Sequence, residues 1–118
     1  MKKRKHPFRD QKHLAFVRTL PCTICKAGFI SHHRIVQAHH LLKPYVGTRG
    51  MSMKADDRNV IPLCLHHHHL LHSKFGSEKA LFENYGMNPE FGKQYAQELW
   101  EKNHQLTILM MNYLSKKN

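Results

Sequence analysis

Two short ligand pairs constrain this chain more than any other feature. Cys22-x-x-Cys25 lies on a turn that runs from Pro21 to Gly28. Thiolates spaced this way can take two corners of a tetrahedron around zinc. Cys64-x-x-His67 supplies the matching pair, histidine being an accepted substitute for cysteine. The stretch between the pairs is far longer than the ~12–15 residues between them in a DNA-reading finger. A zinc held by Cys22, Cys25, Cys64 and His67 would therefore pin an N-terminal turn to the start of a later helix. The competing reading makes Cys22 and Cys25 a redox pair and Cys64 an inert core thiol. The matching second pair favours zinc, with His66 as the neighbour that competes with His67 for the fourth corner.

A chain of 118 residues has the size of one ordinary domain, and domains this small often use metals as staples. Hydrophobic residues make up 41%, which excludes wholesale disorder. Nineteen Lys and Arg against eight Asp and Glu leave a net charge of +11, which favours a polyanionic partner, nucleic acid before an anionic membrane surface. No segment has the apolar length of a membrane span. The basic N-terminus lacks the apolar stretch of a signal peptide. The expectation is a cytoplasmic protein in which three cysteines bind metal instead of pairing as disulfides.

Residues 1–10 read as a basic arm carrying Lys2, Lys3, Arg4 and Lys5, and residues 11–118 as one domain with a C-terminal helical extension. Apolar positions at Leu14, Val17 and Leu20 predict a helix over 11–20, ended by Pro21. Residues 35–41 form a β-prone run closed by Pro44. Residues 43–58 have no periodicity and read as a loop. Residues 59–63 form a second extended run, in which Pro62 demands an edge or a strand end. A helix over 64–75 stops at Gly76. Ser77 can cap another over 78–85, ended by Gly86. Asn88-Pro89 opens a helix reaching His104, with Phe91, Tyr95, Leu99 and Trp100 on its apolar side. Residues 106–114 are apolar enough to be helical, as core or as a dimer face.

Of the twelve histidines, nine lie between His32 and His72. An incidental solvated tract is the simplest explanation, but the spacing argues against it. His68 and His72 stand one helical turn apart, so both imidazoles can face one side and bind one metal. A third ligand must come from elsewhere, and His39-His40 is the evident source. Neighbours on a strand face opposite ways, but at a strand's end they can straddle a site.

Ala38-His39-His40-Leu41, then Asn59 to Cys64, then His66-His67-His68, is an arrangement that resembles the HNH endonucleases. The resemblance covers residues 21–72, and the surrounding motifs are similar to the zinc-stapled phage- and recombination-associated members. It implies an α+β fold: a small ββα-metal (His-Me finger) core with a structural zinc, flanked by helices. It implies that His40 is the general base, that Asn59 orients His40 through its backbone, and that His39, His68 and His72 hold one divalent metal. That metal would neutralise the scissile phosphate and the leaving 3′-oxygen, leaving 5′-phosphate products. The activity implied is hydrolysis of DNA phosphodiester bonds, largely without sequence specificity, with a recombination or packaging protein as a candidate partner.

Two positions depart from the family pattern. His39 stands where Asp is commoner, which makes an all-nitrogen site suited to Zn²⁺, Ni²⁺, Co²⁺ or Mn²⁺ over Mg²⁺. His67 stands in place of a zinc cysteine. Arg49 and Lys54 in the loop are candidates for phosphate contact beside the basic arm, against the commoner role of solvated loop charges. Two alternatives belong to other classes: a non-catalytic zinc-stapled nucleic-acid-binding module, and a His-rich metal-handling protein. Neither needs a base beside an open metal site.

Overall fold

The computed structural model describes residues 8–26, 35–47 and 54–116. Lys2, Lys3, Arg4, Lys5 and Arg49 lie outside the described residues. The first helix, α1 (Gln11–Arg18), starts where the Asp10 carboxylate accepts the His13 amide at 3.0 Å, an N-cap that satisfies one orphan donor. It buries His13, Leu14 and Val17. After Pro21, in the segment expected to be a tight turn holding two thiols, comes a single helical turn, α2 (Thr23–Lys26). Winding this segment lets the Thr23 hydroxyl donate to the Pro62 carbonyl at 2.7 Å.

Strands β1 (Val36–His40) and β2 (Val60–Cys64) pair antiparallel, with Val36 opposite Cys64 and His40 opposite Val60. The Leu41 amide extends the pairing to the Asn59 carbonyl at 2.8 Å. Pro62 sits in the middle of β2, opposite Ala38. That is tolerable because both strands of a two-stranded sheet are edges, so a missing N–H need break no ladder. β2 is buried throughout, which is why it reads as an apolar run.

The chain then enters α3 (Leu65–Leu70), which continues as a π-helical turn over Leu71–Phe75. Gly76 closes that turn at φ 75° and donates to the Leu71 carbonyl at 2.6 Å. A Cβ is disfavoured at such a φ. Ser77 caps α4 (Glu78–Asn84) through its hydroxyl. The last element, α5 (Phe91–Ser115), is one continuous helix, where the expectation is a helix from Pro89 and a separate apolar stretch.

The result is an α+β fold, a small antiparallel sheet packed among helices. The core joins Val17, Ile24, Leu41, Ile61, Leu63, Leu71, Phe82, Ala96 and Leu99. α5 approaches so closely that a Cβ on Gly92 would lie 2.9 Å from the Phe82 ring. Its far end carries Leu109, Met110, Met111, Tyr113 and Leu114, each 57–65% exposed, so these residues are not core. Residues 8–10 belong to the body and not to a free arm. The Asp57 amide donates to the Phe8 carbonyl at 3.0 Å, and Arg9 donates to the Ala55 carbonyl at 3.0 Å. Among the described residues, no helix is long and apolar enough to cross a membrane.

Candidate functional site

The first cluster forms where α2 meets the β2–α3 junction. Cys22, Cys25, Cys64 and His67 bring their ligand atoms within 4.8 Å of one another. His67 Nδ1 lies 3.3 Å from Cys64 Sγ, 3.6 Å from Cys22 Sγ and 3.7 Å from Cys25 Sγ. A tetrahedral zinc with ordinary Zn–S and Zn–N lengths would hold its sulfur and nitrogen ligands about 3.5–3.6 Å apart. The group can hold a metal ion, and three thiols with one imidazole are zinc chemistry. His67 and both Cys22 and Cys64 are buried, which suits a closed structural site. His66 packs edge-on against the His67 ring and is not in the ligand group.

The second cluster comprises His39, His68 and His72, again within 4.8 Å. His39 is the penultimate residue of β1, before His40, while His68 and His72 project from α3 and its π-helical continuation, their rings 4.9 Å apart. Hydrogen bonds set which nitrogens face inward. His39 Nε2 lies 3.1 Å from the Glu78 carboxylate, which can only accept, so Nε2 carries the proton. The same Glu78 oxygen accepts the Leu42 amide. His68 Nδ1 donates to the Gln37 side-chain oxygen at 2.6 Å. The remaining nitrogens, His39 Nδ1 and His68 Nε2, face each other at 3.1 Å. Two lone pairs that close repel unless a cation lies between them. Tetrahedral nitrogen ligands sit about 3.3–3.4 Å apart, so the pair fits one divalent ion. Burial, then the neighbouring histidines, push His68 down to about 4, which keeps it neutral and able to ligate.

His40 lines the same cleft as this cluster, an open space of about 440 Å³ that also touches Arg18 and Lys54. Its Nε2 lies 2.7 Å from Asp57 Oδ1. Burial lowers the pKa of His40, against the raising effect of Asp57 and with help from Lys54 and Arg9.

Asn59 is fully buried but does not serve as the resemblance implies. Its side chain reaches no His40 atom. Its oxygen accepts the Tyr45 and Val46 amides at 2.8 and 3.3 Å, and its nitrogen donates to Val46 O at 3.0 Å and Asp56 Oδ1 at 3.1 Å. It therefore clamps the two described ends of the β1–β2 loop together. Of the loop candidates, Lys54 lines the cleft. Arg18, Gln37, Asp57 and Glu78 are absent from the residues that spacing points to. Arg18 was accessible as the basic last turn of α1; the other three act across long sequence separations.

No curated protein matches the chain, and no solved structure does. One family model matches, described as a protein of unknown function, DUF968, and it spans residues 1–108. That match covers both ligand clusters, the cleft and the core of every helix that frames them, and the chain belongs to the DUF968 family.

Proposed function

We propose that the chain is a metal-dependent endonuclease with a ββα-metal core of the HNH type, hydrolysing DNA with His40 as general base. The observation that carries this reading is the shared cleft. A histidine held by a carboxylate stands beside three histidines whose ligand atoms lie within 4.8 Å of one another. A structural site needs no such neighbour, and a metal store needs no cleft.

In this reading the thiolate cluster holds a structural Zn²⁺, and His39, His68 and His72 hold one divalent ion. The three-ligand site suits Zn²⁺, Ni²⁺ or Mn²⁺ better than Mg²⁺. The bound ion supplies positive charge at the scissile phosphate and the leaving oxygen. The chain's own residues do the rest. His40 is neutral near pH 7, because burial depresses its pKa, and so accepts a proton from the attacking water. Glu78 and Gln37 fix the tautomers of His39 and His68. Arg18 and Lys54 offer cations to the flanking phosphates. Asn59 holds the loop that shapes the cleft. The net charge of +11 draws DNA in without regard to sequence.

The test is plasmid cleavage by the full chain with and without divalent metal, beside His40→Ala. The parent is expected to nick or linearise DNA only with metal. The variant should fall by about 10²–10⁴-fold while melting like the parent. DNA retained without cleavage under every metal would identify a binding module instead. Cleavage by His40→Ala at the parent rate would remove His40 from the chemistry.

A further inference from the structure

We propose that Asp57 is the positioning residue of His40, holding its Nε2–H so that Nδ1 is the nitrogen that accepts the proton of water. The inference rests on the endonuclease reading for its catalytic meaning and on geometry for its placement. Asp57 is buried, its side chain 1% exposed, inside a loop of charged residues. Its Oδ1 meets His40 Nε2 at 2.7 Å and Arg9 Nη1 at 3.0 Å, and its Oδ2 accepts the Asp10 amide at 2.8 Å. Its own amide is bonded to the Phe8 carbonyl. Both oxygens of the carboxylate are thus held, which keeps it against the imidazole.

A carboxylate accepts and never donates, so the neutral His40 ring must carry its proton on Nε2. The Nδ1 lone pair is then the only one the ring has. Asn59, to which the family resemblance gives this task, is occupied with Tyr45, Val46 and Asp56. Burial of Asp57 raises its pKa, but His40, the Asp10 amide and Arg9 more than reverse that. The group is ionised wherever His40 can work.

Asp57→Asn separates positioning from simple anchoring. An asparagine has one oxygen, and the main-chain Asp10 amide, which Oδ2 serves, is the donor that cannot move away, whereas the Arg9 side chain is 38% exposed and can turn to solvent. Its NH₂ would then face His40 Nε2 and force the ring to the Nδ1–H tautomer. Two readouts on the full, zinc-loaded chain decide the matter. Nitrogen-15 NMR of the parent should show His40 as the Nε2–H tautomer, and Asp57→Asn should shift it toward Nδ1–H. In DNA cleavage, kcat should drop about 10²-fold or more with KM within about threefold. The double variant with His40→Ala should be no slower than His40→Ala alone.

The proposal is overturned if the parent's His40 is Nδ1–H. It is also overturned if Asp57→Asn lowers the melting temperature but keeps kcat, which is the mark of an anchor only. Should the variant not fold, the parent's tautomer decides alone. Should the parent cleave nothing with any metal, the endonuclease reading fails, while NMR still judges the hold of Asp57 on His40.

Discussion

Glu78→Ala should weaken the histidine site selectively, and the structure allows the size of the effect to be worked out. Glu78 is 8% exposed, and one of its oxygens serves both His39 Nε2–H and the Leu42 amide. Removing it frees the His39 ring to rotate or to change tautomer. Outer partners of metal-ligating histidines are worth about 10–100-fold in affinity, or about 1.4–2.7 kcal/mol. The Leu42 amide also loses its acceptor in a half-buried position, at about 1–3 kcal/mol of folding stability. Glu78→Gln keeps an oxygen where both donors need one and loses only the charge. Its affinity loss should lie near the tenfold end, with little change in melting. The assay is competitive titration of Zn²⁺ or Mn²⁺ into protein whose thiolate cluster is already loaded, beside a thermal melt. The reasoning is refuted if Glu78→Ala binds the second ion as tightly as the parent. It is equally refuted if both clusters weaken together, since Glu78 touches only one of them.

Cys22→Ser should act on the other cluster: it removes one of four ligands from a closed site, and structural zinc supplies about 10–16 kcal/mol of apparent binding energy, so the variant should melt far lower or fail to fold. Mild chelation of the parent should abolish cleavage before it changes the melting curve, and simultaneous loss of the two would contradict separate sites. His13 gives a pH signature. Burial holds its pKa below the ordinary ~6.5 of the unfolded chain, so as pH falls through that value the unfolded state takes a proton that the folded state refuses. The stability His13 contributes is present above that pH and is lost on the way down to its folded pKa. Urea melts at about pH 7.5 and about pH 5.5 should show a larger acid loss for the parent than for His13→Leu, and equal losses would show that His13 does not drive it.

How much of this could be read from the chain depends on sequence separation. Ligands spaced three or four apart declare themselves, because the spacing already implies a shared turn or helix face. That covers Cys22 with Cys25, Cys64 with His67, and His68 with His72. Metal chemistry then joins the halves by demanding a full donor set. The residues that orient the ligands do not declare themselves. His40 finds Asp57 across 17 positions, His68 finds Gln37 across 31, and His39 finds Glu78 across 39. Asp57 sits in an unperiodic charged loop, where a solvated role is the reasonable default. Glu78 occupies a helix first turn, where an acid is explained by the helix dipole alone. Only the folded chain shows both to be buried.

The run His66-His67-His68-His69 makes the same point from the other side. Consecutive residues on a helix diverge by about 100°, so neighbours cannot serve one ion. His67 turns to the thiolates and His68 to His39 and His72, while His69 is exposed. The two clusters are thereby one helical step apart on a single rigid element. Closing the thiolate cluster fixes the rotation of α3 about its axis, and that rotation decides whether His68 and His72 face β1. A zinc bound at the first site would then be more than a staple for a small core. It would set the aim of His68 and His72 toward His39.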